Sequence, residues 1–140
     1  MKNPFRNEWL LLAALGVGYV AAGFALSLYH DYVLLAVSTD SGSMVQAIWT
    51  TAHGYGVLYL PWLGGSYLGD HFSPLLLLLV PFYLLIPHAG TVLFLKSLSI
   101  GLVAWPTYLL ARHWMRDRRA ALVCALVPLF YPTILSQHFN

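Results

Sequence analysis

The sequence has very few charged residues and a single cysteine. Charged residues make up 9% of the chain, and the formal net charge at pH 7 is +2. A soluble domain carries about 25% charged residues, so this composition excludes an ordinary soluble fold. This net charge is too small to indicate nucleic-acid binding, and we predict no nucleic-acid partner. Cys124 has no second cysteine to pair with, and we expect it to be a packed or lipid-facing small residue.

Basic residues are absent from the longest part of the chain. No Lys or Arg occurs between Trp9 and Leu95, although this stretch contains Asp31, Asp40 and Asp70. A carboxylate is costly wherever lipid can reach it. We therefore expect these aspartates to lie in a loop outside the bilayer or in a wet cavity at its edge.

Apolar residues make up most of the sequence. Hydrophobic residues make up 59% of the chain, and its mean hydropathy is +0.70. A membrane-spanning helix needs about 20 apolar residues, and the chain is predicted to be an all-α integral membrane protein. Its apolar stretches cover residues 9–28, 75–86, 91–110 and 120–135. The first is longer than the apolar region of a signal peptide, about 7–15 residues, so we interpret it as a retained signal anchor.

The basic residues indicate how many of these stretches cross the membrane. The segment 112–119 holds four of the seven basic residues, and short basic loops strongly prefer the cytoplasm. Four crossings would place this segment on the opposite side from Lys2 and Arg6. The stretch 75–86 is too short to span and has Pro81 in its middle. We therefore predict about three spans in the plasma (inner) membrane, a cytoplasmic N-terminus, and a short helix against the outer leaflet.

The prediction is a single membrane module, which we expect to be the N-terminal part of a longer protein. Its predicted segments are a span at 9–28, an outer loop at 29–90 with helices near 42–52 and 74–86, a span at 91–110, a cytoplasmic loop at 111–119 and a span at 120–136.

The first helix of the outer loop has its own signals. Asp40 or Ser41 is predicted to cap a helix that runs from 42 to about 52. Met44 and Ile48 recur at the helical i, i+4 spacing, which indicates an apolar face. We predict an interfacial helix. A glycine-rich, turn-forming segment with exposed aromatic residues follows it.

Two polar patches of the outer loop resemble a known family. The patches and one later run that carry the resemblance are Asp40-Ser41-Gly42 with Gln46 and Trp49, Gly69-Asp70-His71-Phe72-Ser73-Pro74, and Tyr108-Leu109-Leu110-Ala111-Arg112. They resemble the predicted membrane-protein family called domain of unknown function 2079. The order of segments also resembles the N-terminal module of GT-C-type integral-membrane glycosyltransferases. The resemblance covers nearly the whole chain.

The GT-C resemblance implies an activity and a site. It implies glycosyl transfer from a polyprenyl-phosphate-linked sugar on the extracytoplasmic face, with membrane lipids as the other partners. In that class, an acidic residue near the start of the first outer-loop helix acts as general base or metal ligand. Asp40 is the matching position, so a divalent cation is a cofactor the resemblance allows. GT-C enzymes are several times longer, so we expect this chain to be incomplete alone.

Five residues are candidates for the site. A carboxylate such as Asp40 can accept a proton from a hydroxyl or bind a cation, although it can equally cap a helix. Gln46 is a candidate for binding a sugar hydroxyl. Asp70 and His71 either contact substrate or cap the next helix; as neighbours they should point apart, so no metal ligand is predicted. Lys96, the only charge in a predicted span, either pairs with a lipid phosphate or snorkels to the headgroups.

Two other classes of function stay open. A non-catalytic multi-pass subunit is consistent with a chain that ends early. A transporter fragment is the weaker alternative, because the sequence shows no pair of interrupted helices in corresponding halves.

Overall fold

A computed structural model of the chain describes residues 4–33 and 39–131. The described part is mostly helical. Its elements are α1 (Pro4–Leu28), a π-helical turn (Tyr29–Val33), α2 (Thr39–Ala52), β1 (Tyr59–Leu60), β2 (Gly65–Ser66), α3 (Tyr67–Asp70), a first 3-10 helix (Pro74–Leu79), α4 (Val80–Leu85), α5 (Ala89–Leu102), α6 (Ala104–Trp114), α7 (Arg118–Leu126) and a second 3-10 helix (Val127–Phe130).

The chain divides into two compact units. The described residues up to Ser27 and from Lys96 onward form one, here called the terminal unit. The described residues between Leu28 and Leu95 form the other, the central unit.

Two described helical segments are long and apolar enough to cross a membrane, by length and composition. Trp9–Leu28 has 20 residues and a mean hydropathy of 2.0, and Ala89–Trp114 has 26 residues and a mean hydropathy of 1.4. The second segment contains both α5 and α6, which meet at Val103. Pro106 has no N–H to donate to the carbonyl four residues earlier, which explains a break in the helix at this point.

The segment 111–119, predicted as a cytoplasmic loop, contains the end of one helix and the start of the next. Helix α6 continues to Trp114, and α7 begins at Arg118. The Asp117 carboxylate caps α7 by accepting a hydrogen bond from the Arg119 amide at 2.8 Å. Because this cap starts a new helix immediately, only the residues between the two helices remain as a loop.

A third span is not among the described helices. Helix α7 has 9 residues, and the 3-10 helix Val127–Phe130 follows it. Pro128 cannot continue the α-helical hydrogen bonds, so the helix type changes here. The rest of the predicted 120–136 span, from 132 onward, lies outside the described residues.

The core of the terminal unit uses small residues and aromatic rings. Trp9 packs against Trp105 and Tyr108, with ring centroids 4.8 and 5.3 Å apart. Alanines at one-turn spacing on α7 let α6 and α7 approach closely, as is common between membrane helices. The buried residues of this cluster are Leu12, Ala104, Tyr108, Ala121, Ala125 and Leu129.

In the central unit, α2 packs between two apolar clusters. Ala47 belongs to the first with Leu58, Leu60 and Tyr67, and Ile48 belongs to the second with Tyr83 and Val92. Ala47 and Ile48 are fully buried. The apolar face predicted for an interfacial helix is therefore covered by the protein itself, because the following segments fold back over it.

Two short strands follow α2. They pair antiparallel, with Tyr59 opposite Ser66 and Leu60 opposite Gly65. Gly64, in the turn between them, has a φ of +66°, a conformation that glycine adopts without strain. The hairpin returns the chain toward α2 and leads directly into α3.

The short apolar segment predicted at 74–86 is helical in two parts. Pro81 lies at the N-terminal end of α4, where a missing N–H is tolerated, and not within one continuous helix. From the rises of the two helix types, the segment is about 21 Å long. That is short of the roughly 30 Å hydrocarbon core of a bilayer.

Candidate functional site

Helix α2 begins earlier than the sequence predicted. Its first residue is Thr39, so Asp40 and Ser41 lie within the first turn and not at the cap. The predicted capping position is therefore wrong for both residues. Residues 34–38 precede the helix and lie outside the described part. Negative charge near a helix N-terminus is favourable because of the helix macrodipole, and Asp40 occupies that end of α2.

Two threonines at the other end of α2 hold the following loop. The Thr50 hydroxyl donates a hydrogen bond to the Tyr59 carbonyl at 2.6 Å. The Thr51 hydroxyl accepts a hydrogen bond from the Leu58 amide at 2.7 Å. Leu58 is fully buried and has a φ of +47°, which is unfavourable for a leucine. These side chain–backbone bonds and the burial of Leu58 offset that cost.

The same loop positions α3. The Tyr67 amide donates to the Leu58 carbonyl at 2.7 Å, and the Ser66 hydroxyl donates to the Val57 carbonyl at 2.9 Å. Ser66 is also the N-cap of α3, where its hydroxyl accepts from the Leu68 amide. The α2 helix, the strained loop and α3 therefore form one hydrogen-bonded structure.

Asp70 and His71 are in direct contact at the end of α3. His71 Nδ1 lies 3.0 Å from Asp70 Oδ2. The His71 ring stacks on the ring of buried Tyr67, with centroids 5.3 Å apart and planes 13° apart. The His71 amide also donates to the Tyr67 carbonyl at 2.8 Å. With Nδ1 directed at the carboxylate, Nε2 is the ring nitrogen left for another partner.

The expectation that these neighbouring side chains point apart is wrong. His71 has an extended backbone, with φ −129° and ψ 109°, so its side chain is not placed by helical geometry. The alternative that Asp70 or His71 caps the next helix is also wrong. The N-cap of the first 3-10 helix is Ser73, which makes no side-chain capping bond.

Sequence reasoning missed an aromatic stack beyond α2. Trp49 stacks with His53 and Tyr55, at centroid distances of 4.4 and 5.4 Å. His53 Nδ1 lies 2.8 Å from the Trp49 carbonyl. The i, i+4 spacing of Trp49 and His53 could have predicted their contact on one face of the helix. Tyr55 reaches Trp49 because the chain turns at Gly54, whose φ is +77°.

A second missed contact joins Tyr32 and His88. His88 Nδ1 accepts a hydrogen bond from the Gly90 amide at 3.0 Å, and its Nε2 lies 3.5 Å from the Tyr32 hydroxyl. The two rings stack with centroids 6.1 Å apart. His88 therefore uses both ring nitrogens, and no local sequence pattern connects residues so far apart.

The remaining predicted site residues are distributed over both units. Gln46 is partly buried on α2, in the same unit as Asp40, Asp70 and His71. Lys96 is partly buried on α5 and belongs to the terminal unit. Within residues 4–33 and 39–131, no three His, Cys, Asp or Glu side chains come together as a group that could hold a metal ion.

Comparison with known proteins gives one result. The family model for predicted membrane proteins called DUF2079 matches residues 6–140 of the chain. Neither the search of curated proteins nor the search of solved structures found a match. The family match covers nearly the whole sequence, including both candidate spans and the central unit. The chain therefore belongs to the DUF2079 family of predicted membrane proteins.

Proposed function

We propose that this chain is a glycosyltransferase-like membrane module, with a polyprenyl-phosphate-linked sugar as donor on the extracytoplasmic face. The observation that carries the proposal is the position of Asp40. It lies in the first turn of α2, the helix around which the central unit is packed and which follows the first candidate span. This is the position of the acidic active-site residue in the GT-C-type enzymes that the sequence resembles.

The proposed chemistry needs one proton acceptor. Asp40 accepts the proton of the acceptor hydroxyl, and the hydroxyl oxygen forms a bond to the anomeric carbon. The bond between that carbon and the phosphate oxygen breaks, and polyprenyl phosphate leaves with the electron pair. A divalent cation at Asp40 is the other role that a carboxylate supports at a phosphate site.

Charge supports an external location for the central unit. Between Leu28 and Leu95 the sequence has three aspartates and no Lys or Arg, while Lys2 and Arg6 precede the first span. Positive charge is retained on the cytoplasmic side of membranes. We therefore propose an N-terminus in the cytoplasm, a plasma (inner) membrane location, and a segment 74–85 that rests against the outer leaflet without crossing it.

Replacing the proposed base tests the function. Membranes from cells that produce the protein are incubated with a panel of radiolabelled polyprenyl-phosphate-linked hexoses, and transfer to endogenous acceptors is measured. Because general base catalysis contributes roughly 10²–10⁴-fold, Asp40→Asn should reduce transfer by at least about 100-fold. Asp31→Asn, which removes the same charge at the other end of the segment before α2, is the matched control and should retain transfer.

Two results would contradict the proposal. Transfer by Asp40→Asn at the rate of the natural protein would remove Asp40 from the chemistry. No transfer above the level of membranes without the protein, for every donor in the panel, would favour a non-catalytic membrane subunit.

A further inference from the structure

The segment 112–119, here called the basic turn, concentrates positive charge where α6 meets α7. It contains four arginines and one aspartate, which leaves an excess of three positive charges. A guanidinium group stays protonated in proteins, so this charge does not depend on pH near neutrality. The single carboxylate, Asp117, accepts the Arg119 amide as the cap of α7. The basic turn is therefore a permanent cationic surface of the terminal unit.

The connection between the two helices is held by one of these arginines. Nη1 of Arg112 donates to the carbonyls of Met115 and Arg116, at 3.2 and 3.5 Å. A basic side chain near the end of a helix commonly bonds the last carbonyls in this way. Arg116 and Arg119 are exposed. Two guanidinium groups are thus accessible on a backbone that a third keeps in place.

Positive charge at the start of α7 opposes the stability of that helix. Arg118 and Arg119 are its first two residues. The helix macrodipole is positive at this end, so cations here are unfavourable. Orientation of the spans requires basic residues in the loop but no particular position for them. An anionic partner at the basic turn would offset the cost of this placement.

One side of α7 continues from charge to apolar surface. Ala121 and Ala125 are buried in the core of the terminal unit. Arg119, Val123 and Val127 follow one another at one-turn spacing on the opposite side. Val123 and Val127 are 62% and 60% exposed, and they lie about 6 and 12 Å from Arg119 along the helix axis. A cationic group followed by an exposed apolar strip matches the headgroup and the chain of an anionic lipid.

The position of the basic turn relative to a candidate span supports the same partner. The apolar segment Ala89–Trp114 ends where the connection to α7 begins. Trp114 is 79% exposed, and tryptophan is enriched at the level of the lipid headgroups. We therefore expect the arginines of the basic turn at the depth of the lipid phosphates, with Val123 and Val127 deeper in the bilayer.

We propose that the basic turn binds an anionic phospholipid of the membrane. Arg116 and Arg119 donate hydrogen bonds to oxygens of its phosphate, and Val123 and Val127 contact its acyl chain. Arg112 is a positioning residue, and no covalent bond changes. The inference does not rest on the proposed function, in which the sugar donor is assigned to Asp40 of the central unit, and it holds for either orientation in the membrane.

Lipid binding to the full chain tests the proposal. Phosphatidylglycerol and phosphatidylcholine with identical acyl chains are titrated into the protein in neutral detergent, and native mass spectrometry gives the dissociation constant of the first bound lipid. Phosphatidylglycerol should bind at least about tenfold more tightly, because its headgroup carries no cation to oppose the arginines. Equal affinities for the two lipids would overturn the proposal.

Two neighbouring arginines provide a variant and its matched control. Arg119→Gln should weaken binding of phosphatidylglycerol about tenfold, because a charge-assisted contact to the phosphate is lost. Arg118→Gln removes the same charge from a residue that is partly buried and lies off the exposed strip, and it should retain most of the binding. Equal losses in the two variants would show a diffuse effect of charge and overturn the site. Circular dichroism identifies a variant that fails to fold.

Further measurements separate the headgroup from the chain. Glycerol phosphate has the phosphate without acyl chains and should not displace phosphatidylglycerol at equal concentration; displacement would overturn the lipid assignment. Val123→Gln with Val127→Gln should weaken binding of the lipid, and unchanged binding would overturn the contact with the strip. Tighter binding of polyprenyl phosphate than of phosphatidylglycerol would overturn the choice of a phospholipid.

One variant separates this site from the proposed catalytic residue. Asp40→Asn should bind phosphatidylglycerol as well as the natural protein does. Asp40-dependent transfer without preference for phosphatidylglycerol would defeat this inference alone. Binding of phosphatidylglycerol through Arg119 without any transfer would defeat the proposed function alone.

Discussion

The terminal unit and the central unit are stabilised in different ways. In the terminal unit, α6 and α7 come together through alanines at 121 and 125, and aromatic rings pack around Trp9. In the central unit, side-chain hydroxyls of Thr50, Thr51 and Ser66 bond to the backbone of a loop. Close packing of small residues suits helices in lipid. An irregular backbone instead needs side chains or water to satisfy its polar groups.

The contrast is consistent with the proposed location of the central unit outside the bilayer. A long apolar helix such as α1 satisfies its own backbone polar groups and suits the bilayer. The central unit contains turns, a two-residue hairpin and a buried residue with positive φ, Leu58. Exposed irregular loops are not found in the hydrocarbon region. Three experiments can break or sharpen this comparison of the two units.

Cysteine labelling gives the largest expected effect, because labelling is all or none. Cys124 is first replaced by alanine so that no natural thiol remains. In intact cells, a membrane-impermeant maleimide should label Pro87→Cys in the central unit and should not label Arg116→Cys. After permeabilisation, Arg116→Cys should be labelled as well. Labelling of both sites, or of neither, in intact cells would contradict the proposed topology.

Substitution of alanine for two helical glycines should change the free energy of unfolding in opposite directions. A methyl group added at Gly101 would meet the Val20 side chain at less than contact distance, whereas at Gly18 it would meet no atom within 4 Å. Gly101→Ala should lower the free energy of unfolding by about 1–3 kcal/mol because of overpacking. Gly18→Ala should raise it by up to about 1 kcal/mol through helix propensity.

The free energy of unfolding of both glycine variants is measured in mixed micelles with increasing dodecyl sulfate. Circular dichroism follows the loss of helix, and the midpoints of the unfolding curves are compared. Equal effects of the two substitutions would show that α5 does not approach α1 closely at Gly101.

Two threonines provide a smaller test of the central unit. Thr51→Val removes the hydroxyl that accepts the Leu58 amide. Leaving a buried amide unsatisfied costs about 1–3 kcal/mol, and because Thr51 is only partly buried we expect the lower end. Thr107→Val is the control, since the Thr107 hydroxyl donates to the Val103 carbonyl, one turn earlier in the chain.

Hydrogen exchange measured by mass spectrometry distinguishes the threonine variants. In Thr51→Val, exchange should accelerate at the amides of 57–60 and leave the peptides of α6 and α7 unchanged. Unaltered exchange at 57–60 would show that Thr51 does not hold the loop.

The apolar segments and the class of protein could be predicted from sequence. The first predicted span, 9–28, coincides with a candidate span, and the second, 91–110, lies within Ala89–Trp114. Hydropathy is a local property, so a window of about 20 residues is enough to detect such a helix. The spacing of apolar residues also predicted the apolar face of α2. It did not show that other parts of the protein bury that face.

The contacts at the candidate site could not be predicted in the same way. Thr51 and Leu58 meet because the chain reverses at glycines with positive φ, and Tyr67 returns to Leu58 through the hairpin. His71 meets Asp70 because the helix ends and the backbone becomes extended. Each contact depends on a backbone turn whose direction no periodicity in the residues specifies.

Composition, charge order and family motifs were sufficient to identify a membrane protein of the DUF2079 family and to select Asp40, Asp70 and His71 as residues of interest. The folded chain alone showed that Asp70 directs one nitrogen of His71 and that Lys96 belongs to a different unit. The physical reason is range. Hydropathy and charge act through the neighbours of a residue in sequence, whereas a hydrogen bond requires two groups that the whole fold brings within about 3 Å.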